Sequence, residues 1–202
     1  MNESPHLPLP LTAASLPAAA QARSADQGNV APLAQVQGNI QVGWARHLDE
    51  VRQAQRLRFD VFAAEMGARL ATTVPGHDID LFDDYCEHLL VRDVPSQQVI
   101  GTYRVLTPAQ AKRVGGTYSD NGFDLTRLRS LRPRMVELGR SCVHPDHRHG
   151  GVILALWGAL ADFMVRNQLD TMIGCASIPM LHNGVVSGDA AASIWQQLRQ
   201  TH

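Results

Sequence analysis

The chain has 202 residues, 45% hydrophobic and 18% charged, with a formal net charge of −1. That length suits one domain with a substantial core, and the near-neutral balance excludes the basic field of a nucleic-acid binder. Three cysteines (Cys86, Cys142 and Cys175) stand far apart with no C-x-x-C pair, which suits reduced thiols in a cytoplasmic protein and excludes a disulfide framework.

Residues 1–38 are rich in Ala, Pro, Gln and Ser and poor in aromatics, so they are expected to form a disordered leader. The start carries an acidic residue, repeated prolines and no basic region, unlike a secretory signal. No run reaches the roughly 20 apolar residues of a membrane helix. The folded domain is expected over residues 39–202. It opens with a strand in which Ile40, Val42 and Trp44 alternate with polar neighbours.

Val51, Ala54, Leu57 and Val61 recur at helical spacing over residues 48–67, with acids in the first turn and Gly67 to end the helix. Arg52, Arg56 and Arg58 lie on or beside it, and such arginines usually form a solvated face. Residues 87–93 and 98–106 read as two strands joined by a hairpin at Val94–Gln97. Residues 107–134 read as loops with a short helix. A strand follows at 135–143, a turn at 144–151 and an apolar helix at 152–168. A buried strand over 171–178 and an amphipathic helix over 189–200 complete the reading. This order predicts an α+β protein with one strand–loop–helix crossover.

The stretch over residues 137–156, ELGRSCVHPDHRHGGVILAL, carries the chemistry. A strand that runs through a basic, glycine-bearing turn into a helix makes an anion site, because the first N–H groups of the helix lack intrahelical partners. Gly150 and Gly151 permit close approach and Arg148 adds charge, so a phosphate or pyrophosphate is the natural guest. His144-x-x-His147-x-His149 is the competing metal reading, and Asp78-Ile79-Asp80 resembles the D-x-D of metal-dependent glycosyltransferases.

Val143-x-Pro145-x-x-Arg148-x-x-Gly151 resembles the acyl-thioester-binding motif of the GCN5-related N-acetyltransferase (GNAT) superfamily, V-x-P-x-x-[QR]-x-x-G-x-[GA], whose last small position holds Ile153 here. Arg58-x-x-Val61-Phe62-x-x-Glu65-Met66-Gly67, Asp80-x-Phe82-Asp83, IGTYRVL and ELGRSCV form a spaced series. That series is similar to acyl-homoserine-lactone synthases and to the hemolysin-like, ornithine-lipid N-acyltransferase (L-ornithine N(alpha)-acyltransferase) branch. Ala68 stands where the synthases usually carry tryptophan, and MGA, ELGRSCVHPDHR and IGCASIPM resemble the ornithine branch more closely.

The resemblance implies a GNAT fold, with a mixed, mostly antiparallel sheet flanked by helices. Members of the branch usually continue with more sheet, so the C-terminal strands are expected to be missing. It implies transfer of a 3-hydroxyacyl chain from acyl carrier protein, or CoA, to the α-amino group of L-ornithine, giving lyso-ornithine lipid. No cofactor is bound; the acyl thioester is a co-substrate. Glu137 is the expected general base and the backbone N–H near Cys142 and Val143 the oxyanion donor. Val143, Arg148, Gly150 and Gly151 are expected to hold the phosphopantetheine. Arg58, Arg104 and Arg140 with Asp80 and Asp83 are expected to hold the acceptor, by guanidinium–carboxylate and carboxylate–ammonium contacts, or else to pair with one another and fix the sheet. The expected partners are acyl carrier protein, docked on Arg148, Arg52 and Arg56, together with ornithine and the inner face of the membrane through peripheral contact. A lactone synthase using S-adenosylmethionine and a non-catalytic carrier-binding module are the alternatives.

Overall fold

A computed structural model of the chain describes residues 35–201, apart from 71, 149, 179, 183 and 184. Most of the expected leader therefore lies outside the described residues. Its last part does not: β1 (Gln35–Gln37) pairs antiparallel with β2 (Ile40–Trp44) across a turn at Gly38, so the sheet starts earlier than residue 39. The alternation that marks β2 has no counterpart in so short a preceding strand.

Helix α1 (Leu48–Phe59) has Asp49 and Glu50 in its first turn, where they complement the helix dipole. It widens into a π-helical turn, Asp60–Glu65, and ends before Gly67, whose φ of +71° suits glycine. Strands β3 (Glu87–Asp93) and β4 (Val99–Leu106) form the expected hairpin. Helix α2 (Pro108–Val114) and short 3₁₀ turns occupy the polar stretch before β5 (Met135–Val143). Then come α3 (Gly151–Arg166), β6 (Thr171–Ile173), a small hairpin of β7 (Leu181–His182) and β8 (Val185–Val186), and α4 (Asp189–Thr201).

The main sheet runs β1-β2-β3-β4-β5-β6. Every neighbouring pair is antiparallel except β5 with β6, which α3 connects as a parallel crossover. Side chains alternate between the two faces. Leu89, Val91, Val105, Val136 and Leu138 pack against Val152, Leu156, Leu160 and Phe163 of α3, whereas Leu90, Val99 and Cys142 meet Ala54 and Leu57 of α1. The α3 contact is close enough that a Cβ on Gly101 of β4 would lie 2.5 Å from Val152 Cγ1.

Two expectations change. The strand expected over 171–178 pairs only at Thr171–Ile173, and its residues are half-buried or exposed. Helix α4 has an apolar stripe, as expected, but buries none of its residues. Among the described residues no helix is long and apolar enough to cross a membrane.

Candidate active site

The parallel pairing sets up the site. β5 meets β6 only at Met135, Val136 and Glu137, and then runs on through residues 138–143 while β6 ends at Ile173. Glu137 therefore occupies the last rung before the strands part. The fork opens a cleft of about 720 Å³. Phe62, Met66, Leu70, Tyr103, Trp157 and Met172 give it apolar walls, and Arg104, Tyr118, Glu137, Arg140, Ser141 and Cys175 supply polar groups.

A β-bulge shapes its edge. Thr102 pairs with Cys142 and Arg104 with Gly139, so Arg140 and Ser141 together oppose Tyr103. Arg140 takes the extra turn in the left-handed region, with φ +50°. That conformation costs a non-glycine residue energy and is held only where surroundings fix it. Here Asp80 and Asp78 hold its guanidinium, and the Tyr118 ring lies 5.5 Å away.

The five residues expected to bind an acceptor are brought together, chiefly by pairing with one another. Arg58 is fully buried, which overturns the solvated-face reading for this position. Its Nε donates to Asp78 Oδ2 at 2.9 Å, and its Nη2 donates to both Asp83 oxygens at 2.9 and 2.8 Å and to the Asp78 carbonyl. Arg104 Nη1 donates to Asp80 at 2.6 Å and to Asp83 at 3.1 Å. Burial opposes charge on Asp83, but Arg58 and then Arg104 overcome it and hold the carboxyl below its ordinary value. Three guanidiniums thus face three carboxylates. The third is Asp78, which the D-x-D reading had set apart as a metal motif. Only Arg104 and Arg140 of this network line the cleft; Arg58 and Asp83 lie behind them.

Glu137 is buried at the fork. Its Oε2 accepts from the Tyr118 N–H at 2.5 Å, and its Oε1 from the Ser119 N–H at 2.7 Å and the Ser119 hydroxyl at 2.5 Å. The donors belong to a 3₁₀ turn, Tyr118–Asn121, that a sequence reading leaves as loop. The only local signal for it is Thr117-x-x-Asp120, the pattern of a capping box. Cys175, across the cleft, places its Sγ 3.3 Å from the Ser119 hydroxyl.

The turn expected to take a phosphate links β5 to α3, and its arginine already has a carboxylate partner. Gly150 precedes α3 with φ +97°, a conformation that glycine permits. Arg148 donates to the Val143 carbonyl and, in a bidentate pair at 2.6 Å on each arm, to Glu65 at the end of the π-helical turn. None of Val143, Arg148, Gly150 and Gly151 lines the cleft itself; they stand at the end of β5 and the start of α3. His149 lies outside the described residues, and among the described residues no three ligating side chains cluster for a metal. Burial pushes the Cys86 and Cys142 thiols up to about 12, which leaves them un-ionised and poor nucleophiles.

Residues 57–158 match the family described as the acetyltransferase (GNAT) domain. An L-ornithine N(alpha)-acyltransferase of Brucella abortus (strain 2308) is 41% identical over 177 residues, covering 81% of this chain and 63% of that protein. One from Rhodobacter capsulatus is 39% identical over 148 residues, covering 69% and 56%. The chain thus spans about three-fifths of the length of these curated relatives. A solved CoA-dependent acyl-homoserine lactone synthase with SAM and isopentyl-CoA shares the fold, with a TM-score of 0.50, 23% identity, and coverage of 63% of this chain and 59% of that one.

Proposed function

The chain belongs to the acetyltransferase (GNAT) family, and from that premise we propose that it transfers an acyl group from a thioester donor to the α-amino group of L-ornithine. The relatives' names supply the acceptor. The observation that carries the reading is Glu137, a carboxylate on the last paired rung of a forked sheet, at the edge of a cleft with apolar walls. A thioester chain lies against those walls, and the amine approaches the carboxylate.

Glu137 acts as general base, directly or through one water. His144 N–H donates to the Ile100 carbonyl on β4. Strand alternation then turns the preceding Val143 N–H away from β4, toward the edge left open by β6. That N–H is the oxyanion donor. The pantetheine phosphate sits at the turn formed by Arg148, Gly150 and Gly151, where it displaces Glu65 from Arg148. Arg104 and Arg140 face the acceptor carboxylate, Asp80 aligns both arginines, and Arg58 with Asp83 holds the assembly from behind. The donor is a 3-hydroxyacyl carrier protein or CoA thioester and the product lyso-ornithine lipid. The protein works in the cytoplasm, at the inner face of the membrane where that product partitions.

The test is thiol release and product mass with 3-hydroxyacyl carrier protein or acyl-CoA as donor, with and without ornithine. Ornithine-dependent release that falls on the order of 100-fold in Glu137→Gln supports the reading. Release of methylthioadenosine from S-adenosylmethionine, or carrier binding without any turnover, contradicts it.

A further inference from the structure

We propose that Ser119 is a positioning residue for this reaction, one that commits Oε2 of Glu137 as the oxygen taking the amine proton; the inference rests on the acyl-transfer reading above. Each carboxylate oxygen offers two lone-pair sites. Oε1 has both filled, by the Ser119 N–H at 2.7 Å and the Ser119 hydroxyl at 2.5 Å. Oε2 has one filled, by the Tyr118 N–H at 2.5 Å. Oε2, with one donor against two on Oε1, is the less occupied oxygen.

The hydroxyl itself is oriented. Its single proton goes to Glu137, so the Cys175 thiol, 3.3 Å away, donates to the serine oxygen. The turn that delivers these donors is locked in its own right. Thr117 N–H and hydroxyl donate to Asp120 Oδ2 at 2.7 and 2.8 Å, and Arg132 grips both Asp120 oxygens at 3.0 and 2.5 Å. The Arg132 hydrogen bonds hold the Asp120 carboxyl well below the usual carboxylate range, so this anchor stays charged. Tyr118 then packs its ring against Phe82 and under the Arg140 guanidinium, at 5.8 and 5.5 Å. One short turn therefore fixes the base and steadies the arginine on the acceptor side.

In the step itself, the ornithine ammonium gives one proton to Oε2 and its freed lone pair forms a bond to the thioester carbonyl carbon. The C–S bond breaks, and a second N–H proton leaves with the sulfur as free thiol. The proton on Glu137 passes to solvent. Without the Ser119 hydroxyl, the two backbone N–H groups still hold the carboxylate, but Oε1 then carries one donor like Oε2, so the proton acceptor is no longer confined to one oxygen.

The experiment compares wild type with Ser119→Ala, Ser119→Thr and Arg132→Ala, following thiol release and N-acyl product from an acyl thioester and ornithine. Ser119→Ala is expected to lower kcat on the order of 10- to 100-fold while the KM of donor and acceptor stays within about threefold, the signature of misplacement rather than lost binding. Ser119→Thr, which keeps the hydroxyl, recovers most of that loss. Arg132→Ala, which removes the partly exposed anchor of Asp120 from outside the cleft lining, lowers kcat by a smaller factor with donor and acceptor KM unchanged. A Ser119→Ala kcat within twofold of wild type overturns the proposal, as does a Ser119→Thr protein no better than Ser119→Ala. If Ser119→Ala does not fold, an unchanged kcat in Arg132→Ala overturns it. If wild type acylates another amine but not ornithine, the ornithine reading falls and the same comparison is made on that amine. If wild type releases no thiol with any amine, both fall.

Discussion

Glu65 and Arg148 form a bidentate pair, two N–H donors against two carboxylate oxygens. On the proposed reading, a phosphate that binds Arg148 competes with that carboxylate. Both side chains are solvent-exposed, so the exchange is mild. Glu65→Gln is expected to lower the donor KM about two- to fivefold with kcat nearly unchanged, measured by varying the donor at saturating ornithine. A raised donor KM contradicts the competition. Arg58 is the opposite case, sealed from water against Asp78 and Asp83. Arg58→Met leaves buried Asp83 to Arg104 and buried Asp78 to Arg140 alone, and is expected to cost about 3–5 kcal/mol in chemical unfolding. The sequence picks out Arg58 by its family spacing but gives no depth, since a helix of mixed polar and apolar residues does not reveal which arginine turns inward. Ser119 carries no signal at all: a serine in a polar loop is ordinary until a folded strand brings a carboxylate to it.

Among the elements, the legible ones are those with a clean period. α1, β3, β4, β5 and α3 all follow their apolar spacing, because each buries one face or both in the core. β6 does not. Residues 171–178 look like a buried strand by composition, but pairing with β5 ends at Ile173, although Gly174 still passes so close that a Cβ there would lie 2.6 Å from the Leu138 carbonyl. Composition reports burial and says nothing of where two strands stop pairing. The packing of α3 on β4 makes a second test. Gly101→Ala drives a methyl into Val152 and is expected to destabilise by about 1–3 kcal/mol. Adding Val152→Ala removes the facing methyls and is expected to make the double variant's loss smaller than the sum of the two single ones, read from denaturant midpoints. Strict additivity contradicts direct contact.

At the scale of the whole molecule, stability should follow the buried charge network. Burial holds the His88 imidazole below its ordinary value, against the pull of Asp83, so folding favours its neutral form. The unfolded chain takes up that proton near pH 6.5, and stability falls as pH drops below this value. Asp83, held low by Arg58 and Arg104 against its burial, adds stability that is present above about pH 3.9 and lost below it. The melting temperature is expected to be level above about pH 7 and to decline in two stages, with His88→Gln flattening the first; a plateau down to pH 4 contradicts the network. The sequence names Arg58, Arg104, Arg140, Asp80 and Asp83 of this network but puts Asp78 in a separate motif and does not single out His88, and the cleft comes from a parallel pair that ends early, which no motif encodes. Cys175 reports on that cleft: it borders the opening and is exposed, whereas Cys86 and Cys142 are buried. The most direct measurement is therefore modification of Cys175 by a bulky maleimide, with and without a non-reactive acyl-thioester analogue, followed by assay for N-acylornithine. If the cleft holds the thioester, the analogue slows modification and the modified protein makes no product; modification indifferent to the analogue, with full activity retained, means that it does not.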